Sequence, residues 1–125
     1  MPSTFPYYSA SDTGSAQQNT VDQIIFLCPE TTVVLSTGCG CSGDTFLRLY
    51  NAAGNQVAEN DDSCSLCSAI TYHTGSEACQ TYVLKQGCYS SNDSCGGTVA
   101  VTVTSKYANT CQNGYCLVGT NSWRA

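Results

Sequence analysis

Residues 43–62 read GDTFLRLYNAAGNQVAENDD. Over 45–50, Leu47 and Leu49 fall on one face of an extended chain and Arg48 on the other. A period of two is the signature of a half-buried strand. Asn51-Ala52-Ala53-Gly54-Asn55 follows, with Gly54 able to take a positive φ, so the chain reverses as a hairpin into a second strand at 56–59. The same period extends outward. Strands are expected at 22–27, 32–37, 68–73 (Ile70 and Tyr72 inward), 80–86 (Tyr82 and Leu84 inward) and 98–104. In the last, Val99, Val101 and Val103 alternate with threonines, as suits a pleated sheet with one buried face. Helical periodicity is almost absent. The expected fold is all-β, a sandwich or barrel built on these seven strands. In the first strand Ile24 and Phe26 are expected to face the core, leaving Ile25 and Leu27 as an outer apolar patch. Residues 1–20, rich in Ser, Thr and Gln, read as an extended arm, 21–104 as the sandwich and 105–125 as an irregular tail.

The chain has 125 residues, which suits one domain, and ten of them are cysteine. Cysteine at this density points to an oxidising compartment and a disulfide framework, hence a secreted, extracellular protein. No basic and apolar leader is visible at the start, so that reading takes a signal peptide to have been cleaved. The net charge is −5, with four basic residues, Arg48, Lys85, Lys106 and Arg124. That excludes the basic footprint nucleic acid requires, and argues against an anionic membrane surface. Apolar runs at 24–28 and 32–35 are too short to span a bilayer, so no membrane insertion is expected. Cys64 and Cys67 form a C-x-x-C, but no second pair with zinc-ligand spacing accompanies it and no βαβ pattern surrounds it.

The stretch at 43–62 resembles the pre-peptidase C-terminal domain family: an Asp, a strand with alternating Leu, a D/N-A-x-G-N hairpin, then N-D-D. Weaker similarity covers roughly residues 20–104. The resemblance implies a jelly-roll-like antiparallel β-sandwich of seven or eight strands, with an accessory, non-catalytic role in secretion, binding or assembly. The many cysteines depart from the family's usual bacterial members and suggest a disulfide-rich extracellular relative.

If strands alternate in direction, the loops at 38–44, 60–67 and 87–97 share one end of the sandwich, and those at 28–31 and 74–79 share the other. Disulfides form only between Cα atoms within about 7 Å. Cys39 and Cys41 should therefore bond Cys64 and Cys67 in one order or the other. Cys88 should pair with Cys95, Cys28 with Cys79, and Cys111 with Cys116 in the tail.

Asp44, Asn60, Asp61 and Asp62 fall in loops at one end and offer the hard oxygen ligands that calcium takes. The same residues also serve simply as turn formers. The resemblance raises the calcium reading, since some family members bind it. An enzyme needs a nucleophile, a base and an orienting group within reach. His73 is the only histidine and lies on the face opposite Ile70 and Tyr72, while Glu30, Glu59 and Glu77 are scattered, so no catalytic site is expected. Asn92-Asp93-Ser94 is an N-glycosylation sequon. Tyr7, Tyr8, Tyr115 and Trp123, in the irregular ends, join Ile25 and Leu27 as the expected partner surface. An arm from a neighbouring copy laid over that patch would build a filament. The alternative is a carbohydrate-binding or adhesion domain, with an aromatic or calcium-lined groove for a glycan.

Overall fold

The computed structural model describes residues 3–90, 94–105, 111–112, 115–118 and 122–124, with side chains for 4–90 and 94–105. The strands in chain order are β1 (Ser3–Thr4), β2 (Tyr8–Ser11), β3 (Val21–Leu27), β4 (Thr31–Ser36), β5 (Thr45–Tyr50), β6 (Gln56–Asn60), β7 (Ala69–His73), β8 (Gln80–Cys88), β9 (Ser94–Gly97), β10 (Ala100–Ser105), β11 (Cys111–Gln112), β12 (Tyr115–Val118) and β13 (Ser122–Arg124). Among the described residues there is no helix, so none is long and apolar enough to cross a membrane.

Two antiparallel four-stranded sheets form the sandwich, in the orders β1-β10-β4-β7 and β3-β8-β5-β6. Strands β2 and β9 make a separate two-stranded ribbon, and β11-β12-β13 a small sheet of their own. Each of the seven expected strands is present, its ends shifted by at most two residues. The core lies between the two large sheets. Val33 and Leu35 of β4, Ile70 of β7 and Val101 and Val103 of β10 come from one side; Leu47 and Leu49 of β5 and Tyr82 and Leu84 of β8 come from the other. The hairpin at 51–55 forms as expected, with Gly54 at φ 87° and the Asn51 side chain accepting hydrogen bonds from the Ala53 and Asn55 amides.

Strand β3 presents the opposite face from the one expected. Ile25 and Leu27 are 6% and 0% exposed, whereas Ile24 is 67% exposed and Phe26 only half-buried. Periodicity alone could not choose, because 24–27 is an unbroken apolar run. Cross-strand register decides it. Directly opposed residues in an antiparallel pair share a face. Ile25 stands opposite Tyr82, and Gln23 opposite Leu84, so β3 takes the inward phase that β8 sets. The expected outer patch of Ile25 and Leu27 is therefore part of the core.

Four disulfides form as the topology requires. Cys28 bonds Cys79 at one end; Cys39 bonds Cys64, Cys41 bonds Cys67, and Cys88 bonds Cys95 at the other. The order within the two loop pairs, open in the sequence, is thus fixed. Backbone register sets Cys111 opposite Cys116, but the expected bond between them lies outside the described side chains. The β4–β5 and β6–β7 loops each pass from one sheet to the other, so the two bonds between them clamp the sandwich closed. Beside them Ser68 is fully buried and saturated: its amide donates to Thr37 Oγ1 at 2.9 Å and its hydroxyl lies 2.7 Å from Thr45 Oγ1.

The assignment of faces on β3 is directly measurable. Ile25→Ala should cost about 2–5 kcal/mol in urea unfolding, as a buried truncation does, and Ile24→Ala no more than about 0.5 kcal/mol.

Candidate functional site

The N-terminal segment lies against the body of its own chain and closes the sandwich. Strand β1 extends one sheet by pairing with β10, the Phe5 amide donates to the Val99 carbonyl at 3.0 Å, and β2 pairs with β9 from Tyr8–Gly97 to Ser11–Ser94. Tyr8 is 1% exposed and belongs to the core. Its hydroxyl donates to the Gly87 carbonyl at 2.8 Å. Burial pushes the phenol proton well above its usual range, and the neighbouring Tyr7 adds to the effect.

The body carries a slot shaped for this segment. A methyl group at Gly96 would meet the Tyr8 carbonyl and sit 2.7 Å from the Tyr7 hydroxyl oxygen. One at Gly87 would sit 2.8 Å from Ala16 Cα and 2.9 Å from Ala16 Cβ. Glycine inside a strand often marks a close approach by another backbone, and here Gly96 admits β2 while Gly87 admits the turn that follows it.

Residues 12–19 join this segment to β3 through an unusual turn. Asp12, Gly14, Ser15, Ala16 and Asn19 all have φ between 53° and 61°. Each non-glycine residue in that region costs roughly 1–2 kcal/mol. The turn is nevertheless held firmly from residue 13 onward. Thr13 and Ala16 are fully buried. Thr13 Oγ1 donates to the Cys88 carbonyl and accepts from the Cys88 amide, both at 2.8 Å. The Ala16 amide donates to the same carbonyl, and Ser15 Oγ donates to the Tyr89 carbonyl. Arg48 Nε, on the outer face of β5, donates to the Ser15 carbonyl at 2.7 Å.

That outer face of β3-β8-β5-β6 carries a groove of about 670 Å³, bordered by Asp22, Arg48, Tyr50, Gln56, Val83 and Lys85 among others. Lys85 bonds Asp22 at 3.1 Å and Arg48 bonds Glu59 at 2.5 Å, both partly solvent-exposed pairs. Lys85 Nζ also stands 5.8 Å from the Tyr50 ring centre. The groove therefore combines an aromatic ring with paired charges and amides, a lining able to stack on and hydrogen-bond a polar ligand.

The other expected positions are dispersed. Of the aromatic partner surface, Tyr7 is 60% exposed but Tyr8 is buried by its own chain, because the slot takes its ring. Tyr115 and Trp123 lie on β12 and β13, their side chains outside the described set, and Asn92 is outside the described residues altogether. Among the described residues, Asp44, Asp61 and Asp62 included, no three of His, Cys, Asp or Glu are grouped as metal ligands. Asn60 Oδ1 instead accepts a hydrogen bond from the Ala69 amide, which sets the turn into β7. His73 is on the solvent face of β7, as expected, sharing a 2.9 Å hydrogen bond with Thr32 Oγ1. Glu30 stands 3.7 Å from it and Glu59 is engaged with Arg48. Sequence reasoning missed β1, β2 and β9, and β11, β12 and β13 in the stretch expected to be an irregular tail. For β2 and β9 the available signal was Gly96-Gly97 beside a cysteine, together with the aromatic FPYY at 5–8.

No protein-family model matches this chain, and no curated protein matches it in sequence.

The Tyr8 environment makes a prediction at alkaline pH. A phenol held protonated in the folded state contributes nothing to pH dependence below its unfolded pKa near 10; above it the unfolded chain ionises and the folded one resists. Stability should be flat up to about pH 10 and then fall, by roughly 1.4 kcal/mol per pH unit for this residue. In Tyr8→Phe, chemical denaturation from pH 8 to 11 should show a shallower alkaline loss, beside a pH-independent cost of about 1 kcal/mol for the lost hydrogen bond.

Proposed function

We propose that this chain is an extracellular, non-catalytic structural module that self-associates through its terminal segments into a filament. One observation carries the reading. The sandwich is completed by a segment that inserts as edge strands and a core side chain, yet no disulfide among the described residues ties that segment to the body. A strand that completes a sheet edge can be given by one copy and taken by another. If the donor and acceptor surfaces differ, the contact is head-to-tail, and it propagates unless the rotation between copies closes a ring. The intramolecular disulfides are of a kind typical of extracellular proteins and support secretion. The proposal includes kinship with pre-peptidase C-terminal domains through the hairpin at 43–62.

Negative-stain electron microscopy and light scattering of the native material test it. Ordered filaments are expected. A protein that remains monomeric at every concentration, with no filaments in native preparations, contradicts the proposal.

A second reading, a carbohydrate-binding or adhesion module, is favoured by the outer-face groove. Tyr50 there offers a ring for stacking beside hydrogen-bonding partners such as Gln56. On a glycan array, any selective binding should fall about tenfold in Tyr50→Ala, roughly the value of one stacking contact, and stay unchanged in Leu66→Ala, an exposed side chain away from the groove. Binding insensitive to Tyr50 would place the ligand elsewhere.

A further inference from the structure

Four disulfides lock the body between Cys28 and Cys95, and the turn from Thr13 to Gln17 is hydrogen-bonded to that body or within itself. Residues 3–11 are different. They are held by strand pairing, by Tyr8 and by the half-buried Phe5 and Ala10, and they leave the anchored turn through a single residue, Asp12, at φ 55°. We propose that Asp12 is a hinge, and that residues 3–11 are an exchangeable strand pair that leaves its own slot to fill the identical slot of a second copy of this chain. The inference rests on the self-association reading above and names the moving part, the acceptor and the hinge.

The physical argument has three parts. The slot is specific: Gly96 leaves room for the β2 backbone, and the Gly87 carbonyl waits for one hydroxyl. It must be filled, because an empty slot exposes the β10 edge and β9 and leaves a tyrosine-sized cavity in the core. Every contact that residues 3–11 make with the slot can be made in trans, so the exchange conserves them. What changes is the hinge. In the closed form Asp12 takes the left-handed conformation, and its carbonyl accepts hydrogen bonds from the Gln18 and Asn19 side chains at 3.2 and 3.0 Å. In the open form Asp12 relaxes to extended backbone, continuing β2 away from the anchored Thr13. Strain confined to a short hinge is the condition that favours strand exchange.

Two substitutions at this one exposed position act in opposite directions. Asp12→Gly removes the cost of a positive φ and should hold the segment in its own slot. Asp12→Pro fixes φ near −65° and makes the closed hinge inaccessible. Both leave Tyr8, the slot glycines and the cysteines untouched, and intact mass with circular dichroism checks that each is oxidised and folded. Light scattering across a concentration series reads the onset of assembly. The onset for Asp12→Pro should lie at least about tenfold below that for Asp12→Gly, the factor corresponding to one relieved left-handed residue, with the wild type between them. Equal onset in folded, oxidised proteins overturns the hinge. The two readings fail differently. Filaments that form equally in all three proteins uphold the structural function and refute the exchange. Closed dimers enriched in Asp12→Pro, without filaments in any protein, uphold the exchange and refute the filament.

Discussion

A tyrosine five residues ahead of the first buried threonine decides how this sandwich closes. Tyr8 reaches the carbonyl of Gly87 across 79 positions of sequence, and the backbone that carries it presses against Gly96 so closely that no side chain fits there. The β2–β9 ribbon, the position of Phe5 against Val99 and the left-handed turn at 12–19 all follow from bringing that ring into the core from one direction. Covalent bonds do none of this. The closure is built from packing, ladder hydrogen bonds and one buried hydroxyl.

The chain thus has two kinds of cohesion. Between Cys28 and Cys95 the loops at both ends of the sandwich are cross-linked, and each link contributes about 2–4 kcal/mol by restricting the unfolded chain. The bonds between the β4–β5 and β6–β7 loops matter most for shape, since each joins connections that pass between the sheets. The N-terminal strands have no such link among the described residues. Local opening concentrates where contacts are few and reversible, so the division marks in advance which part of the molecule can move without unfolding the rest.

Much of the architecture was legible because alternation and turn chemistry agree. Val99, Val101 and Val103 announce an inward face, and Leu47, Leu49 and Gly54 announce a hairpin; the strands and the disulfide ends follow from them. The phase of β3 was not legible, since Ile24 to Leu27 are all apolar and only their pairing with Tyr82 and Leu84 tells the two faces apart. Strand β9 was hidden for the converse reason. Ser-Cys-Gly-Gly has little strand propensity, and its glycines mark an approach by Tyr8 and Ser9, opposite Gly97 and Gly96 in register and far away in sequence. The acidic loop residues carry an ambiguous signal: Asp and Asn both ligate cations and shape turns, and Asn60 does the latter here. Nor could the outer-face groove be read in advance, because Asp22, Arg48, Tyr50 and Lys85 meet only through strand register.

The central claim is that the slot at β9 and β10 receives its tyrosine from a different copy when the protein assembles. Cryo-electron microscopy of the assembled form, at a resolution that traces the chain continuously from Tyr8 to Thr20, tests this most directly. The account predicts unbroken density running from Tyr8 in one subunit's slot, through an extended Asp12, to Thr13 anchored on the neighbouring subunit's Cys88. Density that returns each Tyr8 to the slot of its own subunit would contradict it.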